Sequence, residues 1–153
     1  MQPNRVAQDP IFSETLPTPH HVGFVVASIE GQIAGFARSI GAESISEMYE
    51  DPLQSVKVAF VIPAAGPQIE LVEPLGEKSP VTAFLAHGGG LHHICYEVDG
   101  LEQHLAGMRK LGATLVRRAK PAVAFGGRRI AWMLTRERLL VEYLERRHPA
   151  ATE

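Results

Sequence analysis

With 153 residues, 45% of them apolar, the chain can bury one compact core, which excludes the disordered and fibrous classes. A formal net charge of −2 excludes nucleic-acid binding driven by bulk electrostatics, and no stretch approaches the roughly 20 apolar residues of a membrane-spanning helix. Cys95 is the only cysteine, so an intramolecular disulfide is excluded and a reducing, cytoplasmic setting is expected.

Residues 1–19 read as an extended lead-in, broken by Pro3, Pro10, Pro17 and Pro19 and without an apolar run of signal-peptide length. His20–Ala27 alternates as a strand, with Val22, Phe24 and Val26 on one face and His21, Gly23 and Val25 on the other. Ser28 is the expected N-cap of a helix from Ile29 to Ile40, stopped by Gly41, with Ile33, Phe36, Ala37 and Ile40 as its apolar stripe. Strands follow near Ala42–Tyr49, Val56–Ile62 and Gln68–Pro74. The linker, residues 76–90, carries Ser79-Pro80, which predicts the start of a short helix running through Leu85. A second series then repeats the first: strand His92–Val98, helix Leu101–Leu111 ended by Gly112, and strands Thr114–Ala119, Arg129–Leu134 and Leu139–Leu144. Residues 147–153 read as a tail. The expected fold is α+β, one globular unit of two tandem βαβββ modules (residues 20–75 and 91–146). Together they form a curved, mostly antiparallel eight-stranded sheet.

The duplication is visible residue by residue. His21 and Glu70 are 49 positions apart, as are His93 and Glu142, and each member of the second pair follows its counterpart by 72. On the same period Gly23 matches Cys95, Phe60 matches Trp132 and Glu73 matches Glu145. Two histidines and two glutamates recurring in this way predict four ligands for one divalent metal ion, because imidazole and carboxylate together suit such ions (Co, Ni, Zn, Mn, Fe or Mg).

Strand phase selects among the candidates. Val22 and Phe24 should face the amphipathic helix, so His21 should face away, and the same reasoning applies to His93, Glu70 and Glu142. All four then line the helix-free face, while His20, His92 and Glu73 are expected to face elsewhere. Cys95 and Trp132 read as packing residues, and His87, His104 and His148 as surface residues.

These segments resemble the vicinal oxygen chelate superfamily, in which two βαβββ modules surround a metal, over His20 to Glu145. The segments His20-His21-Val22-Gly23, Ile69 to Leu75, Gly90-Leu91-His92-His93 and Gly126-Gly127-Arg128-Arg129 are most similar to its methylmalonyl-CoA epimerase branch. That resemblance implies metal ligands at His21, Glu70, His93 and Glu142, a small-molecule substrate such as a CoA thioester, and a homodimer. The epimerases often carry glutamine at the position of Glu70, and a catalytic glutamate in a Pro-Glu-Gln-Gly-Val-like segment. Here that segment is Pro52-Leu53-Gln54-Ser55-Val56, so the expected base is missing, with Glu50 and Asp51 nearby.

Two neutral imidazoles and two carboxylates leave one or two positions open on a six-coordinate ion, where a substrate with adjacent oxygens could chelate. Such an ion polarises a carbonyl and favours loss of the α-proton, and a ligating glutamate can act as the base. Glu70 and Glu142 are therefore the expected catalytic residues of an isomerase or epimerase. The ligand set also resembles glyoxalase I, a lactoylglutathione lyase. An extradiol dioxygenase favours two histidines and one carboxylate. A non-catalytic ligand-binding member is the remaining alternative. Arg128, Arg129 and Lys120 are the candidates to meet a charged tail such as the CoA phosphates.

Overall fold

The structure, a computed structural model, describes residues 15–147. His148 and most of the expected lead-in and tail lie outside the described residues. In chain order the first half contains β1 (Thr18–Val25), α1 (Ile29–Ile40), β2 (Ser44–Ile45), β3 (Tyr49–Asp51), β4 (Val56–Ile62) and β5 (Gln68–Pro74). After α2 (Thr82–Ala86), the second half contains β6 (Gly90–Val98), α3 (Leu101–Lys110), β7 (Thr114–Pro121), β8 (Arg129–Leu134) and β9 (Leu140–Glu145).

The local signals behave as their chemistry requires. Ser28 Oγ accepts the Gly31 N–H at the start of α1, and Gly41 takes the left-handed conformation that ends it. Ser79 and Pro80 precede α2 rather than opening it; the helix begins at Thr82. The strand expected over Ala42–Tyr49 is two short strands, which makes the sheet nine-stranded instead of eight-stranded. The break has a cause: Ser46 Oγ accepts the Phe60 N–H at 2.8 Å, taking a ladder donor away from the backbone. β2 and β3 then pair with successive stretches of β4.

The strands form one open, curved sheet in the order β2-β4-β5-β1-β6-β9-β8-β7, with β3 also on β4. β1 runs parallel to β5 and β6 parallel to β9, and the other pairings are antiparallel. The halves meet where β1 pairs with β6.

Alternation divides the side chains between two faces. Ile29, Ile33 and Phe36 of α1 pack with Phe24, Val26, Ala59 and Leu71. Leu101 and Leu105 of α3 pack with Met133, Val141 and Tyr143 of the sheet. His104, expected at the surface, is buried here with its ring edge-on to Tyr143. The helix-free face carries Val25, Val58, Phe60, Val72, Cys95, Ile130 and Leu144 as a third apolar cluster. Burial at roughly 25 cal/mol per Å² of apolar surface makes both faces contribute to stability.

Candidate functional site

Strand pairing brings four buried side chains to the concave face in two rows. In one row the Cα partners run Phe60, Glu70, Gly23, His93 across β4, β5, β1 and β6. In the other they run Trp132, Glu142, Cys95, His21 across β8, β9, β6 and β1. Each row therefore sets the glutamate of one half against the histidine of the other. Neither half has a complete set alone.

The donors converge. His21 Nε2 and His93 Nε2 are 3.2 Å apart. His21 Nε2 lies 3.5 Å from an oxygen of Glu70 and 3.5 Å from Glu142 Oε1, and His93 Nε2 lies 3.6 Å from Glu70 Oε1. Donors bonded to one ion at about 2.1 Å stand about 3.0 Å apart at right angles and about 3.4 Å apart tetrahedrally. His21, His93 and Glu142 form the tightest group, with ligand atoms within 4.8 Å of one another, and Glu70 closes the opposite side against both imidazoles. The buried Glu142 Oε1 has no hydrogen-bond partner among the described residues, as expected of an oxygen reserved for an ion. The nitrogen and oxygen donor set suits a divalent transition metal.

Electrostatics agree with that fit. Burial, then the neighbouring imidazoles, holds His21 well below the usual histidine range, and burial, then His92, does the same to His93. Burial and the proximity of Glu142 push the Glu70 carboxyl well up. Burial pushes Glu142 to about 8 against the opposing hydrogen bond from the Cys95 thiol. A metal-free site thus keeps neutral imidazoles and protonated acids, and a bound cation would reverse the preference of the acids. Cys95 itself is driven well up by burial and then by Glu142, so it is no thiolate nucleophile.

A pH experiment follows from these shifts. Glu142 holds its proton to about pH 8 in the folded chain and loses it near 4.5 otherwise. Between those values the folded state binds more protons, so its stability falls as pH rises. Below about pH 6.5 the lowered histidines act the other way, because the unfolded chain then binds more protons. The melting temperature of the chelator-treated protein is expected to decline from pH 6.5 to 8.5, with saturating divalent ion reducing the decline. A flat or rising melting temperature in chelator would contradict the burial argument.

Several side chains support the four. Gly23 is the residue over which the His93 imidazole lies; a Cβ there would come within 2.0 Å of the ring's Cε1. The ring of Phe125 stacks on His21 at an interplanar angle of 11°, Phe60 meets His21 edge-on, and Trp132 meets His93 edge-on with centroids 4.5 Å apart. Trp132 is therefore both a packing residue and a wall of the site. The pairing of Gly23 with Cys95 across the repeat was the available sequence signal for the glycine.

His20 and His92 depart from the expected phase. Both occupy register irregularities of the β1–β6 pairing, where Pro19 and His21 face Tyr96 and Cys95, and Gly23 and Phe24 face His93 and Leu91. Each is the extra residue of a bulge, which turns consecutive side chains toward one side. Glu73 does face away, accepting the Ile29 N–H at the start of α1.

The remaining acids near the site are engaged. Asp51 is buried, and its two oxygens accept the N–H groups of Gln54 and Val123. Glu50 is exposed and lies 3.8 Å from Lys57. Leu53 is 59% exposed and does not line the cavity. Arg128 pairs with Glu97, and Arg129 with Glu102 and Glu145. The cavity lined by Glu70, His93 and Glu142 measures about 180 Å³, has mostly apolar walls, and includes Arg117. Register shifts flank Arg117 on both sides, and Val116 and Arg117 both reach the cavity wall. Among the described residues no ion pair involves Arg117.

Comparison with known proteins matches the Glyoxalase/Bleomycin resistance protein/Dioxygenase superfamily over residues 20–132. The ethylmalonyl-CoA/methylmalonyl-CoA epimerase of Cereibacter sphaeroides is 32% identical over 116 residues, covering 74% of this chain and 85% of that protein. A crystal structure of a hypothetical protein from Bacillus halodurans C-125 superposes with a TM-score of 0.77 at 27% identity, over 90% of this chain and all of the other. Methylmalonyl-CoA epimerase from Mycobacterium tuberculosis shares the fold, with a TM-score of 0.76 at 24% identity over 90% of this chain and 93% of its own.

Proposed function

Because the chain belongs to the Glyoxalase/Bleomycin resistance protein/Dioxygenase superfamily, we propose that it is a metal-dependent epimerase that moves a proton at the carbon next to the thioester carbonyl of an acyl-CoA such as methylmalonyl-CoA. The observation that carries this reading is the convergence of His21, Glu70, His93 and Glu142, of which Glu70, His93 and Glu142 line one cavity. A divalent ion held by these four would supply Lewis-acid polarisation of the carbonyl. The name of the Cereibacter relative supports the acyl-CoA class.

The chain's own residues account for the proton. Glu70 on β5 and Glu142 on β9 flank the central histidine-bearing strands from opposite sides. Epimerisation needs a proton taken from one face of the α-carbon, its C–H electron pair moving toward the carbonyl, and a proton returned to the other face. Two acids on opposite flanks provide both positions. The resembled epimerases have glutamate where this chain has Leu53, and often glutamine where it has Glu70. Two acids are retained, with one of them relocated to the cavity floor. The mostly apolar cavity walls favour a reaction with little water around the carbanion-like state, and Arg117 on the cavity wall offers a cation for an acyl carboxylate.

In deuterated water the protein supplied with Co(II) or another divalent ion is expected to introduce deuterium at the α-carbon of methylmalonyl-CoA, and chelator is expected to stop it. Arg117→Ala should slow this exchange more for methylmalonyl-CoA than for propionyl-CoA. Absence of exchange with every divalent ion tried would remove the epimerase reading. Turnover of a methylglyoxal–thiol hemithioacetal in its place would favour the lyase.

A further inference from the structure

We infer that His20 and His92 are positioning residues that fix the tautomer and ring orientation of His21 and His93, an inference that rests on the metal reading above. Two independent features of each half point to it. The first is backbone: His20 and His92 are the extra residues of two bulges in the β1–β6 pairing, so each is turned toward its neighbour where regular alternation would point it away. The second is side-chain contact. His20 Nδ1 lies 2.8 Å from His21 Nδ1, and His92 Nδ1 lies 2.9 Å from His93 Nδ1. The same contact recurs in both halves of the duplication.

The contact decides which nitrogen is bare. In a pair of facing Nδ1 atoms one carries the proton and the other accepts it. When His21 Nδ1 donates to His20 Nδ1, His21 Nε2 keeps its lone pair, and that is the atom facing His93, Glu70 and Glu142. His20 then carries its own proton on Nε2, which lies 3.8 Å from Glu97 Oε1, with Arg128 3.6 Å beyond on the same oxygen. Beyond His20, the nearest charged groups on this side are thus a carboxylate and a guanidinium. On the other side His92 accepts from His93 Nδ1, and its ring is held edge-on by Phe84, with centroids 4.8 Å apart. A ligand histidine whose remote N–H is held in this way is oriented and made more basic, and loss of such a partner typically weakens metal binding by about 10–100-fold.

The test compares acceptors with shapes. His20→Asn and His92→Asn retain an oxygen that can accept from the neighbouring Nδ1–H; His20→Leu and His92→Leu fill space without accepting. Co(II) affinity is measured for each by competition with a chromophoric chelator, with melting of the metal-free proteins as the folding control. The leucine variants are expected to bind about 10–100-fold more weakly than wild type, and the asparagine variants to recover part of that loss. Leucine variants that bind as well as the asparagine variants or better would overturn the inference, because packing alone would then explain both residues. Wild-type protein with no Co(II) affinity would instead remove the metal reading, and the inference with it. The two halves are read separately, so one variant that fails to fold leaves the other pair as the test.

Discussion

Gly23→Ala is expected to leave a folded protein that has lost nearly all of its divalent-metal affinity and α-proton exchange. A Cβ at position 23 would clash with the His93 imidazole, at 2.0–2.5 Å from its Cε1, Nδ1 and Nε2 atoms. His93 is buried among Trp132 and His92, so its ring cannot swing clear without displacing them. Overpacking of this kind costs about 1–3 kcal/mol, enough to lower the melting temperature without unfolding a domain of this size. The metal effect should be larger than the 10–100-fold drop that accompanies loss of an outer partner, because His93 Nε2 itself leaves its place beside His21 and Glu70. Chelator competition and thermal melting decide the matter. Unchanged Co(II) affinity in Gly23→Ala would mean that the His93 ring is not needed where it lies.

Glu142→Gln is expected to reduce exchange by about 10²–10⁴, the usual contribution of a positioned acid or base, and Glu70→Gln to do the same. The amide oxygen of glutamine can still face a cation, so metal affinity should fall far less than the rate. Glutamine cannot carry the proton. The two variants are distinguished with separate epimers: each acid serves one face of the α-carbon, so each variant should lose exchange preferentially with one epimer. Equal loss with both epimers in both variants would defeat the two-acid scheme while leaving the metal assignment standing. Leu53→Glu is expected to leave the rate unchanged, because position 53 is exposed and outside the cavity. Glu142→Gln also removes the buried acid held near pH 8, so the metal-free variant should lose less stability than wild type between pH 6.5 and 8.5.

Much of the fold was legible because its signals are local. Ser28 and Gly41 bound α1 through backbone chemistry confined to a few residues. The alternation on β4, β5, β8 and β9 sent Val58, Glu70, Ile130 and Glu142 to one face and Leu71, Met133 and Tyr143 to the other, as a strand period of two requires. The break at Ser46 was not legible, because it depends on a hydroxyl meeting Phe60 from another strand. Asp51 could be read as a catalytic candidate only until its oxygens were seen to hold Gln54 and Val123, the latter 72 positions away.

The sequence by itself determined the duplicated βαβββ order, the identity of four buried ligand-type residues and the face on which they stand. These follow from a repeat period and from alternation, both properties of the chain taken along its own length. Only the tertiary structure decided that Glu70 shares a row with His93, and Glu142 with His21. It also decided that Gly23 makes room for an imidazole and that His20 and His92 turn inward. All of these depend on the register of β1 against β6 and on its two bulges. That register is set by the packing of residues some 70 positions apart, and an extra residue in a strand reverses every inference that alternation alone would give at that point.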